Sequence, residues 1–193
     1  MTKIQVARKE QAAEIASLIM LAMTHESCRW FAGPQHTLED FHALMTKLVE
    51  REDSQYSYLN TLVATVDDKV AGICTSYDGA LLLPLRRTFI EGALEAFGID
   101  YNGFDEETQA GELYLDSLAV FPEYRGRGIA TQLIRATLQK GMEVGLPVGL
   151  LVNKENPKAE KLYRSLGFDF ANDTTWGGHD MRHLIWKDHA KDS

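Results

Sequence analysis

The sequence predicts an α/β fold, one domain with helices flanking a mixed sheet, and three observations carry that expectation. Apolar residues switch between a period of two and helical spacing several times along the chain. Two β-branched runs, residues 62–66 and 70–75, flank the polar turn Asp67-Asp68-Lys69 and so form an antiparallel hairpin. The 193 residues carry no repeat, low-complexity stretch or Gly/Ser linker, so a single hydrophobic core accommodates them, with room for an elaboration.

Residues 4–7 alternate as a short strand, after which Ala12, Ile15, Ala16, Ile19 and Met23 recur at helical spacing. Thr37 caps a second helix, with Asp40 three residues on as its capping-box partner and Phe41, Leu44, Met45 and Leu48 as its buried stripe. Between these helices, residues 24–36, with His25, Trp30, Phe31 and Pro34, read as a loop. After the hairpin, residues 78–111 read as an insertion, in which Leu85, Phe89, Ala93, Leu94 and Phe97 suggest a helix and residues 102–108 an acidic loop. Leu113–Val120 is an apolar strand with Asp116 and Ser117 in its middle; a Pro- and Gly-rich turn and a helix bearing Ile129, Leu133, Ile134 and Leu138 follow. Residues 147–152 form the next strand. Asn156 caps a further helix and Pro157 opens it, with Ala159, Leu162, Tyr163 and Leu166 at i, i+3, i+4 and i+7 before Gly167 ends it. Strands at residues 168–171 and 181–186 close the order.

Composition excludes several classes. With 45% apolar, 9% aromatic and 25% charged residues the chain is an ordinary globular protein, and its net charge of −8 repels phosphate backbones and anionic lipid, which argues against nucleic acid and membrane partners. The apolar run at residues 15–23 is broken by Ser17 and follows Glu10, Gln11 and Glu14, so it is neither a signal peptide nor a membrane span, and the expected compartment is the cytoplasm. Cys28 and Cys74 lack metal-ligand or redox spacing and are expected as thiols. The length suits a monomer or a homodimer.

The turn from Phe121 to Ala130 joins an apolar strand to a helix, which aims free backbone N–H groups and the positive end of a helix dipole at one spot suited to an anion. Gly126 and Gly128 allow close approach of the backbone, and Arg125 and Arg127 add positive charge. A bare G-x-G arises about once by chance in a chain of this length, so context carries the claim. No Gly-Lys-Ser/Thr follows, which excludes a P-loop, and Thr131 stands where a dinucleotide fingerprint has its third glycine or alanine.

The string Arg125-Gly126-Arg127-Gly128-Ile129-Ala130 resembles the R/Q-x-x-G-x-G/A motif of the GNAT superfamily of N-acetyltransferases. Downstream, Asn156-Pro157-Lys158-Ala159-Glu160-Lys161-Leu162-Tyr163-Arg164-Ser165-Leu166-Gly167-Phe168 is similar to that family's N-x-x-A-x-x-L-Y-x-x-x-G-F helix. The opening elements and the closing strand fit as well; the long 78–111 segment departs from the pattern. The resemblance implies a mostly antiparallel sheet in which two parallel strands, ending near Val120 and Val152, splay apart to seat acetyl-coenzyme A. Freed backbone groups of Leu118, Ala119 and Val120 would pair with the pantetheine arm, the N–H groups from Arg125 through Gly126, Arg127, Gly128, Ile129, Ala130 and Thr131 would hold the pyrophosphate, and Asn156 would bond the cofactor from the other side. No metal is implied.

Direct acetyl transfer to an amine needs a neutral amine, a stabilised oxyanion and a protonated leaving thiol. Tyr163 is the candidate acid, since a phenol with a reference pKa of about 10 stays protonated at neutral pH; its position on an apolar stripe also suits plain packing. Asp116, a carboxylate interrupting an apolar strand, is the candidate base, with a hydrogen-bonded strand residue as its other reading and Glu112 as a second choice of base. A backbone N–H near Val120 would hold the oxyanion. The negative net charge, Asp116 and the run Asp105-Glu106-Glu107 favour a cationic small molecule as acceptor; a peptide or protein N-terminus, or a non-catalytic acyl-coenzyme A sensor, stands as the alternative. His179 and His183 mimic a zinc pair only on a helix, and their neighbours alternate as in a strand, so they are assigned to structure; no G-x-S-x-G nucleophile elbow exists.

Overall fold

In the computed structural model, which describes residues 1–191, the sheet is ordered β1-β2-β3-β4-β5-β7-β6. Strand β1 (Thr2–Val6) is an edge, and β2 (Thr61–Val66) and β3 (Lys69–Asp78) form the expected hairpin, with Asp67 and Asp68 at φ of 50° and 64° in the turn. A two-residue turn with both φ values positive matches the twist of the strands it joins, and aspartate is among the few side chains that accept it. Strands β4 (Leu113–Val120) and β5 (Val148–Asn153) run parallel, whereas β6 (Asp169–Trp176) and β7 (His179–Trp186) add antiparallel strands beyond them.

Helices α1 (Ala12–Met23), α2 (His25–Ala32), α3 (Leu38–Glu50) and α4 (Leu82–Phe97) pack on one face around Ile15, Ile19, Phe31, Phe41, Met45 and Phe89. Helices α5 (Ile129–Val144) and α6 (Pro157–Ser165) cover the other face over Leu115, Leu133, Ile134, Leu150 and Leu184. The capping box of α3 forms as read: Thr37 Oγ1 accepts from Asp40 N at 3.1 Å and Asp40 Oδ2 from Thr37 N at 2.9 Å. No helix among the described residues is long and apolar enough to cross a membrane.

Three expectations need correction. Residues 24–36 are not a loop, because α2 occupies most of them, capped by Thr24 Oγ1 accepting from Ser27 N at 3.2 Å. Eight residues with only Cys28, Phe31 and Ala32 buried give too little periodicity to see. Leu94 is not on the buried stripe of α4; it is half exposed, and the stripe instead carries Leu82, Arg86, Phe89, Ala93 and Phe97. Strand β6 runs well past residue 171, since an edge strand exposed on both faces has no apolar alternation to announce its polar stretch Asn172, Asp173, Thr174 and Thr175.

Candidate functional site

The two parallel strands share only one short stretch of ladder. Leu113 pairs with Val148 and Tyr114 with Gly149, after which β4 continues to Val120 bonded only to β3, and β5 continues to Asn153 bonded only to β7. From Leu115 onward the two strands therefore face each other with unpaired backbone edges, the V-shaped opening that the sequence implied. A bulge sits at its apex: Thr75 lies opposite Ser117 and Ser76 opposite Leu115, leaving Asp116 as the extra residue. An extra residue re-aims its side chain and bends the strand, which turns Asp116 toward the face covered by α1–α4.

At the open end of β4 the turn leads into α5 through Gly126 and Gly128, at φ of 75° and 73°. A side chain at either would meet no atom within 4 Å, so backbone conformation alone demands glycine there. The amides of Gly126, Arg127, Gly128, Ile129, Ala130 and Thr131 find no acceptor among the described residues. Six unengaged donors at the positive end of a 16-residue helix are the kind of group that could hold an anion such as a phosphate. Both arginines are tied to this turn: Arg125 Nε donates to the Val120 carbonyl at 3.1 Å, and Arg127 donates to the Glu123 carbonyl at 3.3 Å with its guanidinium 5.4 Å from the centre of the Tyr124 ring. Val120 thus already has one carbonyl lone pair engaged. Asn156 uses its Oδ1 to cap α6, accepting from Ala159 N at 3.2 Å.

Tyr163 and Asp116 stand on opposite sides of the opening. Tyr163, on α6, packs edge-on against Phe168 with ring centres 5.7 Å apart, within the cluster under α5. Its hydroxyl has no partner among the described residues, and burial pushes its pKa up, with the Cys74 thiol of β3 adding to that. Asp116 accepts from Tyr77 Oη at 2.7 Å, Ser117 Oγ at 3.0 Å and Gln55 Nε2 at 3.3 Å. Burial raises the Asp116 pKa above the ordinary carboxylate value, and these three hydrogen bonds pull it partway back.

Glu112, the second choice of base, is committed elsewhere: Oε1 accepts from Thr108 Oγ1 at 2.6 Å and Oε2 lies 2.6 Å from His183 Nε2. Gly149 makes this arrangement possible, because a Cβ there would collide with the Glu112 carboxylate. His183 Nδ1 meets Asn172 Oδ1 at 3.0 Å, so this histidine belongs to a polar chain beside the opening rather than to apolar packing. The acidic loop is a loop, as read, and its carboxylates at Asp105 and Glu107 are engaged within the fold. Glu107 is buried and ion-paired with Arg86, and Asp105 Oδ2 accepts from Gly177 N at 3.0 Å. With Trp176 Nε1 donating to the Asp105 carbonyl at 3.2 Å and Phe104 against Trp176, the insertion ties α4 to the β6–β7 hairpin. Beneath this strap lies a cavity of about 150 Å³ lined by Glu106, Glu107, Leu151, Asn172, Thr174 and His183. Sequence reasoning missed Gln55 and Arg86. Nothing marks Gln55, but a lone charge on the Leu82–Phe89–Ala93–Phe97 stripe was a readable signal of a buried pair.

Comparison with known proteins agrees with this geometry. Residues 20–168 match the model of the acetyltransferase (GNAT) family. Over 132 residues the chain is 25% identical to the spermine/spermidine N(1)-acetyltransferase of Bacillus subtilis, covering 66% of this chain and 82% of that one. It is 39% identical to the mycothiol acetyltransferase of Corynebacterium aurimucosum over 83 residues, 42% of this chain and 24% of that longer protein. An N-acetyltransferase structure from Staphylococcus aureus Mu50 superimposes with a TM-score of 0.83 at 26% identity, covering 95% of this chain and 99% of that one. A further acetyltransferase structure gives 0.81 at 27% identity, covering 96% and 98%. The family match, with structural neighbours that are acetyltransferases, shows that the chain belongs to the GNAT family, as one of its N-acetyltransferases.

Proposed function

We propose that this protein transfers the acetyl group of acetyl-coenzyme A, the donor its family uses, directly to a primary amine of a cationic small molecule. The observation that carries the reading is the opening between β4 and β5, with unengaged amides at one end and a carboxylate and a phenol on its two sides. The amides of Gly126 to Thr131 hold the pyrophosphate, and the open edge of β4 at Leu118, Ala119 and Val120 pairs with the pantetheine amides, fixing the thioester beside Asp116. Asp116 draws in the ammonium and takes its proton; the neutral amine attacks the thioester carbonyl. As the tetrahedral intermediate collapses the nitrogen gives up its remaining extra proton to solvent, while Tyr163, held protonated by its raised pKa, gives its proton to the departing thiolate and is reprotonated from solvent. Asn156 keeps its side-chain Nδ2 for the cofactor while Oδ1 serves the cap.

The strap over the β6–β7 hairpin supports a small acceptor, because Asp105 bonds Trp176 and Gly177 above a cavity of about 150 Å³. Similarity to an enzyme named for spermine and spermidine points to the same class. Thiol release from acetyl-coenzyme A, measured against spermidine, spermine, an amino sugar, amino acids and N-terminal peptides, tests this. Saturable turnover of a polyamine or amino sugar is expected, whereas turnover of peptides alone, or of nothing in the set, contradicts the reading.

A further inference from the structure

Beneath the opening, five segments of the chain converge on one buried polar cluster. Gln55 comes from the stretch after α3, Tyr77 from β3, Arg86 from α4, Glu107 from the strap and Asp116 from β4. Gln55 is 2% exposed, and its backbone is fixed by an N–H to the Leu85 carbonyl at 3.3 Å and by Asn60 Nδ2 on its own carbonyl at 3.3 Å. Its Nε2 donates to Asp116 Oδ2 at 3.3 Å and to Glu107 Oε1 at 3.5 Å. The amide cannot be turned over, since that would set a carbonyl against two carboxylates. Glu107 is itself held by Arg86, whose guanidinium also donates to the carbonyls of Phe104 and Asp105. The amide is therefore locked, and its other atom, Oε1, is buried with no hydrogen-bond partner.

A buried acceptor left unpaired costs about 1–3 kcal/mol, so a position that retains one calls for a donor that arrives later. The cavity comes within one residue of this amide: Glu107 both lines it and bonds Gln55, and Leu151, on the length of β5 that has no β4 partner, forms the adjoining wall. We infer that Gln55 is a specificity residue, its Oε1 accepting an N–H of the acceptor's primary ammonium while Asp116 faces the same nitrogen, with Arg86 and Glu107 as the positioning residues that hold the amide. This rests on the amine acetylation proposed above, and it assigns the insertion a purpose, since both positioning residues lie within it. One oxygen on the amide and one on the carboxylate suit a nitrogen carrying several hydrogens and reject a hydroxyl or tertiary amine.

The test is steady-state kinetics of Gln55→Met, close in shape but without the amide, using spermidine as acceptor. The expected result is an acceptor KM raised about ten- to a hundredfold with the acetyl-coenzyme A KM within a few-fold, the loss of one hydrogen bond to a charged group. Should that variant fail to fold, Gln55→Asn keeps a buried amide and withdraws its oxygen by one methylene, and the same split between the two KM values is expected. An unchanged acceptor KM in a folded variant overturns the role of Gln55 and leaves the proposed reaction standing. A wild-type protein that acetylates no amine overturns the reaction and this inference with it.

Discussion

Asp116 is the residue on which pH acts most directly. In the proposed reaction its ionised form accepts the proton, and burial raises its pKa above the ordinary carboxylate value, so kcat/KM is expected to rise as pH climbs through that raised value. Asp116→Asn is expected to abolish that acidic limb; a limb that persists assigns it to another group. The stability sign follows from the same shift. A native carboxyl that holds its proton more tightly than the unfolded one, near pH 3.9, loses stability as pH rises from about 3.9 through the raised value, and denaturation of Asp116→Asn is expected to lack that slope. For Tyr163→Phe the expectation is a kcat about a hundredfold lower with the acetyl-coenzyme A KM little changed, because only proton delivery is lost; an unchanged kcat removes the phenol from the chemistry. Both residues were legible in the sequence, Asp116 as a charge breaking an apolar strand and Tyr163 through its motif. Gln55 was not, because an amide between two short polar stretches has the same appearance whether it faces water or two buried carboxylates.

The start of α5 shows how an element turns local sequence into a row of unengaged backbone donors. Gly128 sits in left-handed backbone conformation at the N-cap, with empty space where a side chain would point. Gly128→Glu therefore costs only backbone strain of about 1–2 kcal/mol, a melting shift of about 2–8 °C, while placing a carboxylate where phosphate is to bind. Titration calorimetry is expected to show coenzyme A affinity lost in a folded protein, and normal affinity would refute the proposed phosphate site. Elements with strong periodicity or explicit caps, α1, α3 and α6, were readable within a residue or two, and the β2–β3 hairpin and α5 were readable as elements although β3 runs three residues past its expected end. The short α2 and the exposed far half of β6 were not, since each buries too few side chains to print a pattern. The acidic loop was read as a loop, but its partners were not legible, since only the fold brings Gly177 to Asp105 and Arg86 to Glu107.

For the molecule as a whole, the site exists because one sheet is incomplete in its middle. Five of the seven strands keep full neighbours or lie at an edge of the order, yet β4 and β5 part after two paired residues, with one helical layer on each side. The bulge at Asp116, the unengaged amides at the start of α5 and the strap from α4 to β6–β7 all converge on that gap. Hydrogen exchange of the backbone amides, with and without coenzyme A, tests this most directly. Protection is expected to rise at residues 115–120 along the open edge of β4 and at residues 126–131 at the start of α5, with β1 and β2 unchanged. Coenzyme A binding that protects neither segment would contradict the account.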